Sequence, residues 1–337
     1  MKKNDFPDYL GLFFRKYLPL QRGLSNNTIS SYSYSFMQFF RYCETVKGIK
    51  PHKLFFGIID KALIVEFCNW LEQEHGNSIQ TRNQRLTAIH AFFRYLQTES
   101  PEYVYLCRDV LSIKLKKTPS VPPKYISADA IRHILREPDS NTKEGLRELS
   151  MLALLYDSAA RVQELLDLNV GNLRLGARAT VTVTGKGNKS RTIPLLPETA
   201  NILKQYIKAF KLTHPEQILF FNRSGSKMTR VGITYILEKY VKIVREKSPE
   251  LISIKVTPHI LRHSKSCHLL DAGVNLIYIR DLLGHSSVTT TEIYATANPD
   301  FLRKAIEHNT DFIPPANQFY NDDQKNDLLD FLKKLQK

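Results

Sequence analysis

The chain has 337 residues, 42% of them hydrophobic, with 48 Lys and Arg against 33 Asp and Glu for a net charge of +15. That length holds two domains with real cores, and the positive excess points to a polyanionic partner, nucleic acid first, over an acidic small molecule or a membrane surface. No stretch approaches the ~18 consecutive apolar residues of a membrane span. The start, "MKKNDFPDYL", lacks the apolar run of a secretion signal, so the expected location is cytoplasmic, without a membrane partner.

Residues 1–113 read as helices. "SNNTISSYSYSFMQFFRYCETV" opens on a capping Ser25 and repeats Ile29, Tyr32, Phe36, Phe39 and Phe40 at helical spacing. "DKALIVEFCNWLEQEHG" gives a second helix running out at Gly76, and "SIQTRNQRLTAIHAFFRYLQ" a third, with Ile79, Leu86, Ile89, Phe93 and Leu96 on one face. These aromatic stripes read as core, not as base-stacking platforms. Thr81, Arg82 and Arg85 start the third helix, where they either meet phosphate or form a plain solvated face. The four cysteines, Cys43, Cys68, Cys107 and Cys267, have no zinc spacing and read as buried free thiols.

The clearest break is "KLKKTPSVPPKYIS", where Lys114, Lys116 and Lys117 precede three prolines and a capping Ser127. A proline-rich segment of residues 114–125 spans roughly 35 Å when extended. It separates a helical domain, 1–113, from a mixed domain, 126–308, followed by a tail, 309–337. Both sides carry net positive charge.

The second domain opens with "ELSMLALLYDSAARVQELLDL", a long apolar helix broken near Ser158 to Ala160 and restarted. "ATVTVTGKGNKSRTIPLL" alternates on both sides of a glycine-containing tip, a β-hairpin. Helices follow over Thr199–Phe210, Arg230–Lys247, Pro258–Ala272 and Leu276–Leu283. "NDLLDFLKKLQK" closes the chain with an apolar face of Leu328, Leu329, Leu332 and Leu335.

Four fragments carry chemistry. "HILRHS" places His259, Arg262 and His263 at i, i+3 and i+4, on one helical face. "ARVQEL" sets Arg161 within an apolar helix pair, "GKGNKSR" offers Lys186 from a hairpin tip, and "LLGHSSVTTTEIY" holds His285 and Tyr294. Arginines, a lysine, histidines and a tyrosine without a carboxylate cluster make a poor metal site and a good phosphate site. A tyrosine hydroxyl can attack phosphorus and keep the bond energy in a phosphotyrosine ester. With a pKa of about 10 it is only ~0.1% ionised at neutral pH, so it needs a base or a positive field. Each residue also has a plainer reading. Arg161 can pair with Glu164 or Asp157, and His259 and His285 can be satisfied core imidazoles. Lys189 or Arg191 can stand in for Lys186, and Tyr278 competes with Tyr294.

In this order, "ARVQEL", "GKGNKSR", "HILRH" and "LLGHSSVTTTEIY" resemble the tyrosine recombinases, also called the phage-integrase family, and the first half is similar to the family's helical core-binding domain. The resemblance implies a mainly α fold with a small β-sheet: an all-helical core-binding domain and a mixed α/β catalytic domain forming a clamp around DNA. It implies Tyr294 as nucleophile, Arg161 and Arg262 as the phosphate clamp, His259 as base, Lys186 as acid on the leaving 5′-oxygen, and His285 as a hydrogen-bond donor. Glu164 and His263 would support the site. Lys114, Lys116, Lys117, Lys189 and Arg191, with Thr81, Arg82 and Arg85, would contact DNA. Neither metal nor cofactor is called for. The implied partners are double-stranded DNA with a specific site, a homo-tetramer in the synapse with the tail docking between protomers, and accessory DNA-bending or directionality proteins. A regulator of the same fold and a type IB topoisomerase-like nicking enzyme are the alternatives.

Two departures stand out: "SAAR", with Ala159 and Ala160 where the family often has a small residue plus glycine, and Lys265 where many relatives are apolar. The first should alter helix packing more than chemistry. The Lys265 form, together with "DAGVNLIYIRDLLGH", looks closer to integrases of transposons and other mobile elements than to the housekeeping Xer-type chromosome-resolving enzymes, and the expected setting is a prokaryotic nucleoid.

Overall fold

The structure is a computed structural model that describes residues 5–118, 124–185, 187–284 and 333. The chain divides into two units, residues 1–120 and 121–337.

In the first unit, helix α1 (Asp5–Leu12) runs on through a π-helical stretch, Phe13–Gln21. The helices α2 (Asn26–Thr45), α3 (Lys61–Gln73) and α4 (Ile79–Glu99) each start on a side-chain cap. Ser25 accepts from the Thr28 N–H, Asp60 from Leu63 and Ser78 from Thr81, satisfying donors that the first helical turn leaves unpaired. A short α5 (Val104–Leu111), not foreseen from the sequence, completes the unit.

The aromatic stripes meet inside. Phe92 is fully buried, with the rings of Phe6, Phe13 and Phe36 set edge-on at 5.7, 5.4 and 5.6 Å. Each such ring stabilises the fold by about 1.5–3 kcal/mol through removal from water, with a further edge-to-face term. All four cysteines are buried free thiols.

The beginning of the expected linker belongs to this unit. The carbonyl of Lys116 accepts from Asn83 Nδ2 at 2.8 Å, its N–H donates to Asn83 Oδ1, and its ammonium pairs with Glu72 at 2.8 Å. The peptide is thus strapped to α3 and α4 before the prolines begin. Lys114 and Lys117 remain exposed.

The second unit begins with α6 (Ala128–Arg136), capped by Ser127. Next comes α7 (Lys143–Asp157), whose Leu146, Met151, Leu152, Leu154 and Leu155 are all buried. The helix stops at Ser158 and restarts as α8 (Val162–Leu166). Strands β1 (Leu173–Arg174), β2 (Thr180–Thr184) and β3 (Ser190–Pro194) form an antiparallel meander in which Val181 pairs with Ile193 and Val183 with Arg191. Val181, Val183 and Ile193 face the core. The period-2 pattern follows from this, with polar residues on the other face.

Then come α9 (Pro197–Ala209), α10 (Arg230–Lys247), α11 (Pro258–Asp271) and α12 (Leu276–Leu283). The expected α9 started two residues late, because Pro197 is a helix-initiating residue, its missing N–H costing nothing at the first position.

Candidate active site

The break between α7 and α8 makes the first part of the site. Ser158 ends α7, Ala159 takes the left-handed φ of 48°, and Arg161 sits at the N-cap of α8 in extended conformation. This reversal turns the Ala159 carbonyl and the Arg161 side chain out of the helix axis. Glu164, in the first turn of α8 and only 4% exposed, accepts the Arg161 N–H at 2.9 Å and Arg161 Nη1 at 2.7 Å. The ion pair considered for Arg161 therefore exists, with Glu164, while 43% of the Arg161 side chain stays open. Asp157 instead binds Lys265.

Helix α11 makes the second part. Thr257 caps it, accepting the Ile260 N–H, and Pro258 opens it. His259 and His263 lie one turn apart with ring centroids at 4.1 Å, as the i, i+4 spacing requires. Arg262 is buried. Its Nη1 donates to the Ala159 carbonyl at 2.7 Å and its Nη2 to the Leu283 carbonyl at 2.5 Å. One arginine thus joins the α7–α8 break to the C-terminal end of α12, where a cation is favoured by the helix dipole.

Arg161, His259 and Arg262 all line a cavity of about 260 Å³. Gln163 and Arg230 line it too, Arg230 Nε donating to Gln163 Oε1 at 2.8 Å. Arg230, the first residue of α10, was missed in the sequence. A capping Thr229 followed by a basic residue was visible, but nothing local linked it to Arg161. Partial burial first, then the charges of Arg262 and Arg161, push the His259 pKa below its ordinary value. The imidazole is thus neutral at neutral pH and able to accept a proton. Burial alone would raise Glu164, but hydrogen bonds from Arg191 and from the Arg161 backbone and side chain outweigh it, holding the carboxyl below its usual range.

The remaining expected site residues fall differently. Lys186, His285 and Tyr294 lie outside the described residues, as do the four leucines of the tail and all the rest of it apart from Lys333. Tyr278 is exposed on α12, and Lys189 is exposed at the hairpin tip beside Gly187 and Asn188, both of positive φ. Thr81 bonds Ser78, and Arg85 lies over the Tyr34 ring at 4.6 Å with a hydrogen bond to Ser35. Two expected DNA contacts are internal instead. Arg82 is 4% exposed and sits against Glu72, Asn83 and the Lys114 carbonyl. Arg191 has its side chain 14% exposed and pairs with Glu164. A sequence shows that these groups are charged but not that a carboxylate awaits each inside. Among the described residues, no group of three or more His, Cys, Asp or Glu is placed to hold a metal ion, and no helix is long and apolar enough to cross a membrane.

Comparison with known proteins gives the family and the fold. Residues 124–300 match the phage integrase family and residues 13–100 the phage integrase N-terminal SAM-like domain. A Sinorhizobium fredii protein named "Putative integrase/recombinase y4rC" is 35% identical over 96% of each chain. The tyrosine recombinase XerD of Listeria monocytogenes is 32% identical over 83% of this chain and 91% of its own. Among solved structures, the Tn1549 transposon integrase with transposon right-end DNA superposes with a TM-score of 0.68 at 18% identity, covering 88% of this chain and 98% of that one. The XerH recombinase in a post-cleavage complex gives 0.67 at 22%, covering 85% and 81%. At those identities the structures speak for the fold, and the sequence matches for the family: the chain belongs to the phage integrase family, the tyrosine recombinases.

Proposed function

We propose that this enzyme, a tyrosine site-specific recombinase, binds the scissile phosphate of duplex DNA in the Arg161–His259–Arg262 cavity and cuts the strand with Tyr294. The observation that carries the reading is that cavity: Arg161, at the start of α8, and His259 and Arg262, about a hundred residues further on in α11, converge on one basic pocket. Tyr294 Oη attacks phosphorus, its proton passing to the neutral His259. Arg161 and Arg262 stabilise the non-bridging oxygens as charge builds, an effect worth about 3 kcal/mol per well-placed donor. His285 adds a hydrogen bond there. Lys186 gives a proton to the departing 5′-oxygen, leaving a 3′-phosphotyrosine and a 5′-hydroxyl. Attack by a partner strand's 5′-hydroxyl reverses the same steps and restores the tyrosine. The ester keeps the energy of the phosphodiester, so the chemistry calls for no nucleotide cofactor or metal.

Strand exchange between two duplexes takes four such cuts, which supports a homo-tetramer in the synapse, with the tail at 309–337 linking protomers. A role in moving a genetic element within the bacterial cytoplasm is supported by the integrase-named relative and by the Lys265 and "DAGVNLIYIRDLLGH" sequence. Lys114, Lys117, Lys189 and Arg85 remain the proposed DNA contacts, with Arg230 added from the cavity.

The test is covalent trapping. Purified protein is incubated with fragmented host DNA and denatured, and the protein-linked ends are sequenced beside a Tyr294→Phe control. Adducts that vanish in the control establish the nucleophile and deliver the target site. Adducts that persist in Tyr294→Phe reject Tyr294, and DNA binding without any adduct moves the reading to a regulator of the same fold.

A further inference from the structure

The buried Glu164 carboxylate has two arginines, and only one of them has a part in the proposed chemistry. Arg191, on β3, reaches it as a fork: Nη2 to Oε2 at 2.7 Å and Nη1 to Oε1 at 3.3 Å. Its Nε donates to the Leu282 carbonyl at 2.7 Å. The guanidinium plane is therefore set by two elements at once, α8 and the end of α12. Such a fork leaves little for DNA, and the side chain is largely covered.

Two glycines close over this pair. A Cβ on Gly185 would lie 2.9 Å from Glu164 Oε1, and one on Gly284 would lie 2.9 Å from Arg191 Nη1. Gly284 also ends α12 with a left-handed φ of 61°, which glycine adopts without strain. The backbone thus approaches the pair closely at both glycines, and a side chain at either position would push against it. Glu164 in turn anchors the half-exposed Arg161, a long side chain that loses roughly 2 kcal/mol of rotamer freedom when held in one geometry.

We infer that Arg191 is a positioning residue for strand cleavage, fixing Arg161 in the phosphate cavity through their shared Glu164 carboxylate. Resting on the phosphate reading of that cavity, the inference assigns "GKGNKSR" a second task beyond carrying Lys186. Removing the fork leaves a buried carboxylate whose remaining guanidinium is Arg161. Arg161 is then drawn inward to neutralise Glu164, away from a phosphate oxygen.

The test uses the full-length protein and a duplex oligonucleotide carrying the site recovered by trapping, made with either a normal scissile phosphate or an uncharged methylphosphonate. Arg191→Lys keeps the charge and loses the fork; Arg191→Gln is the second variant, and each is checked for a cooperative thermal transition. The expected result on phosphate is adduct formation slowed roughly 10-fold or more, with DNA affinity within about 3-fold of wild type. On methylphosphonate, where a neutral methyl group replaces one charged oxygen and leaves Arg161 less charge to neutralise, the deficit shrinks to within about 3-fold. Combined with Arg161→Ala, either change adds nothing further on phosphate, as expected for residues acting as a unit. A wild-type rate in both variants overturns the inference. So does an equal deficit on the two substrates, which marks a merely structural loss, or effects that multiply with Arg161→Ala. Arg161→Ala cutting phosphate DNA at the wild-type rate instead rejects the phosphate reading itself, whatever Arg191 does.

Discussion

Arg262 Nη1 donates to the Ala159 carbonyl at 2.7 Å, and that carbonyl is available because Ala159 lies in the left-handed region with φ 48°. The residue is fully buried, so the turn has both a backbone cost and a packing limit. An L-residue in this conformation costs about 1–2 kcal/mol, which glycine avoids, while glycine adds about 0.4–1 kcal/mol of entropy to the unfolded chain. Ala159→Gly is therefore expected to match or slightly exceed wild type in unfolding free energy. Ala159→Val, with a branched side chain in a filled site and a left-handed turn, should lose more than ~2 kcal/mol and slow cleavage by displacing Arg262. Urea unfolding of the three proteins gives the order, and a valine variant as stable as wild type would refute the strained-turn account.

The His259 assignment makes a signed prediction about pH. Burial and the nearby Arg262 and Arg161 charges disfavour the imidazolium, so the pKa lies below the ordinary value of about 6.5. The neutral, proton-accepting form then persists as pH falls through 6.5, and kcat/KM for adduct formation should decline only below that. Because the kcat/KM profile reports free-enzyme groups, Arg161→Ala should shift this acidic limb upward, one like charge having been removed. A limb centred above 7, or one unmoved by the substitution, would argue against His259 as the base.

How much of this was readable beforehand follows from which forces are local. The face shared by His259, Arg262 and His263 is fixed by helix geometry, so four residues of spacing reveal it. Likewise the hairpin follows from alternation, with Val181, Val183 and Ile193 inward, and the α7–α8 break from "DSAAR". Arg230 was not legible, since its Gln163 partner is 67 residues away and only the fold joins them. Arg82 and Arg191 look like surface charge in a sequence because Glu72 and Glu164 are reached only through tertiary packing. Basic composition identifies a polyanion partner for the chain and leaves open which basic residues touch it.

The aromatic stripes of the first unit act as core, and the consequence is measurable. Phe92 is fully buried among Phe6, Phe13 and Phe36, so Phe92→Ala removes a ring from a filled site and should cost about 3–5 kcal/mol. Tyr105, 70% exposed on α5, is the control, and Tyr105→Ala should stay within about 0.5 kcal/mol. Denaturant titration followed by tyrosine and tryptophan fluorescence compares them. Equal, small effects would contradict an aromatic core.

Lys265, unusual for the family in the sequence reading, has a structural partner. Asp157 is 4% exposed, accepting the Leu196 N–H at 2.8 Å and the Lys265 ammonium at 3.1 Å. The ammonium also lies over the Tyr156 ring. Tyr156 donates to His268 Nδ1, whose Nε2 donates to the Ile126 carbonyl, and burial pushes the Tyr156 hydroxyl up to about 12, so it stays neutral. Lys265→Leu alone leaves a buried carboxylate without its cation, a loss of about 3 kcal/mol. Adding Asp157→Asn removes that charge while keeping an oxygen for the Leu196 N–H, so the double variant should regain most of the stability. Apolar residues at position 265 are then tolerated only where position 157 is uncharged. Thermal unfolding of the two variants decides the matter: a single variant as stable as wild type, or a double no better than the single, would show that the pair does not hold α11 to the end of α7.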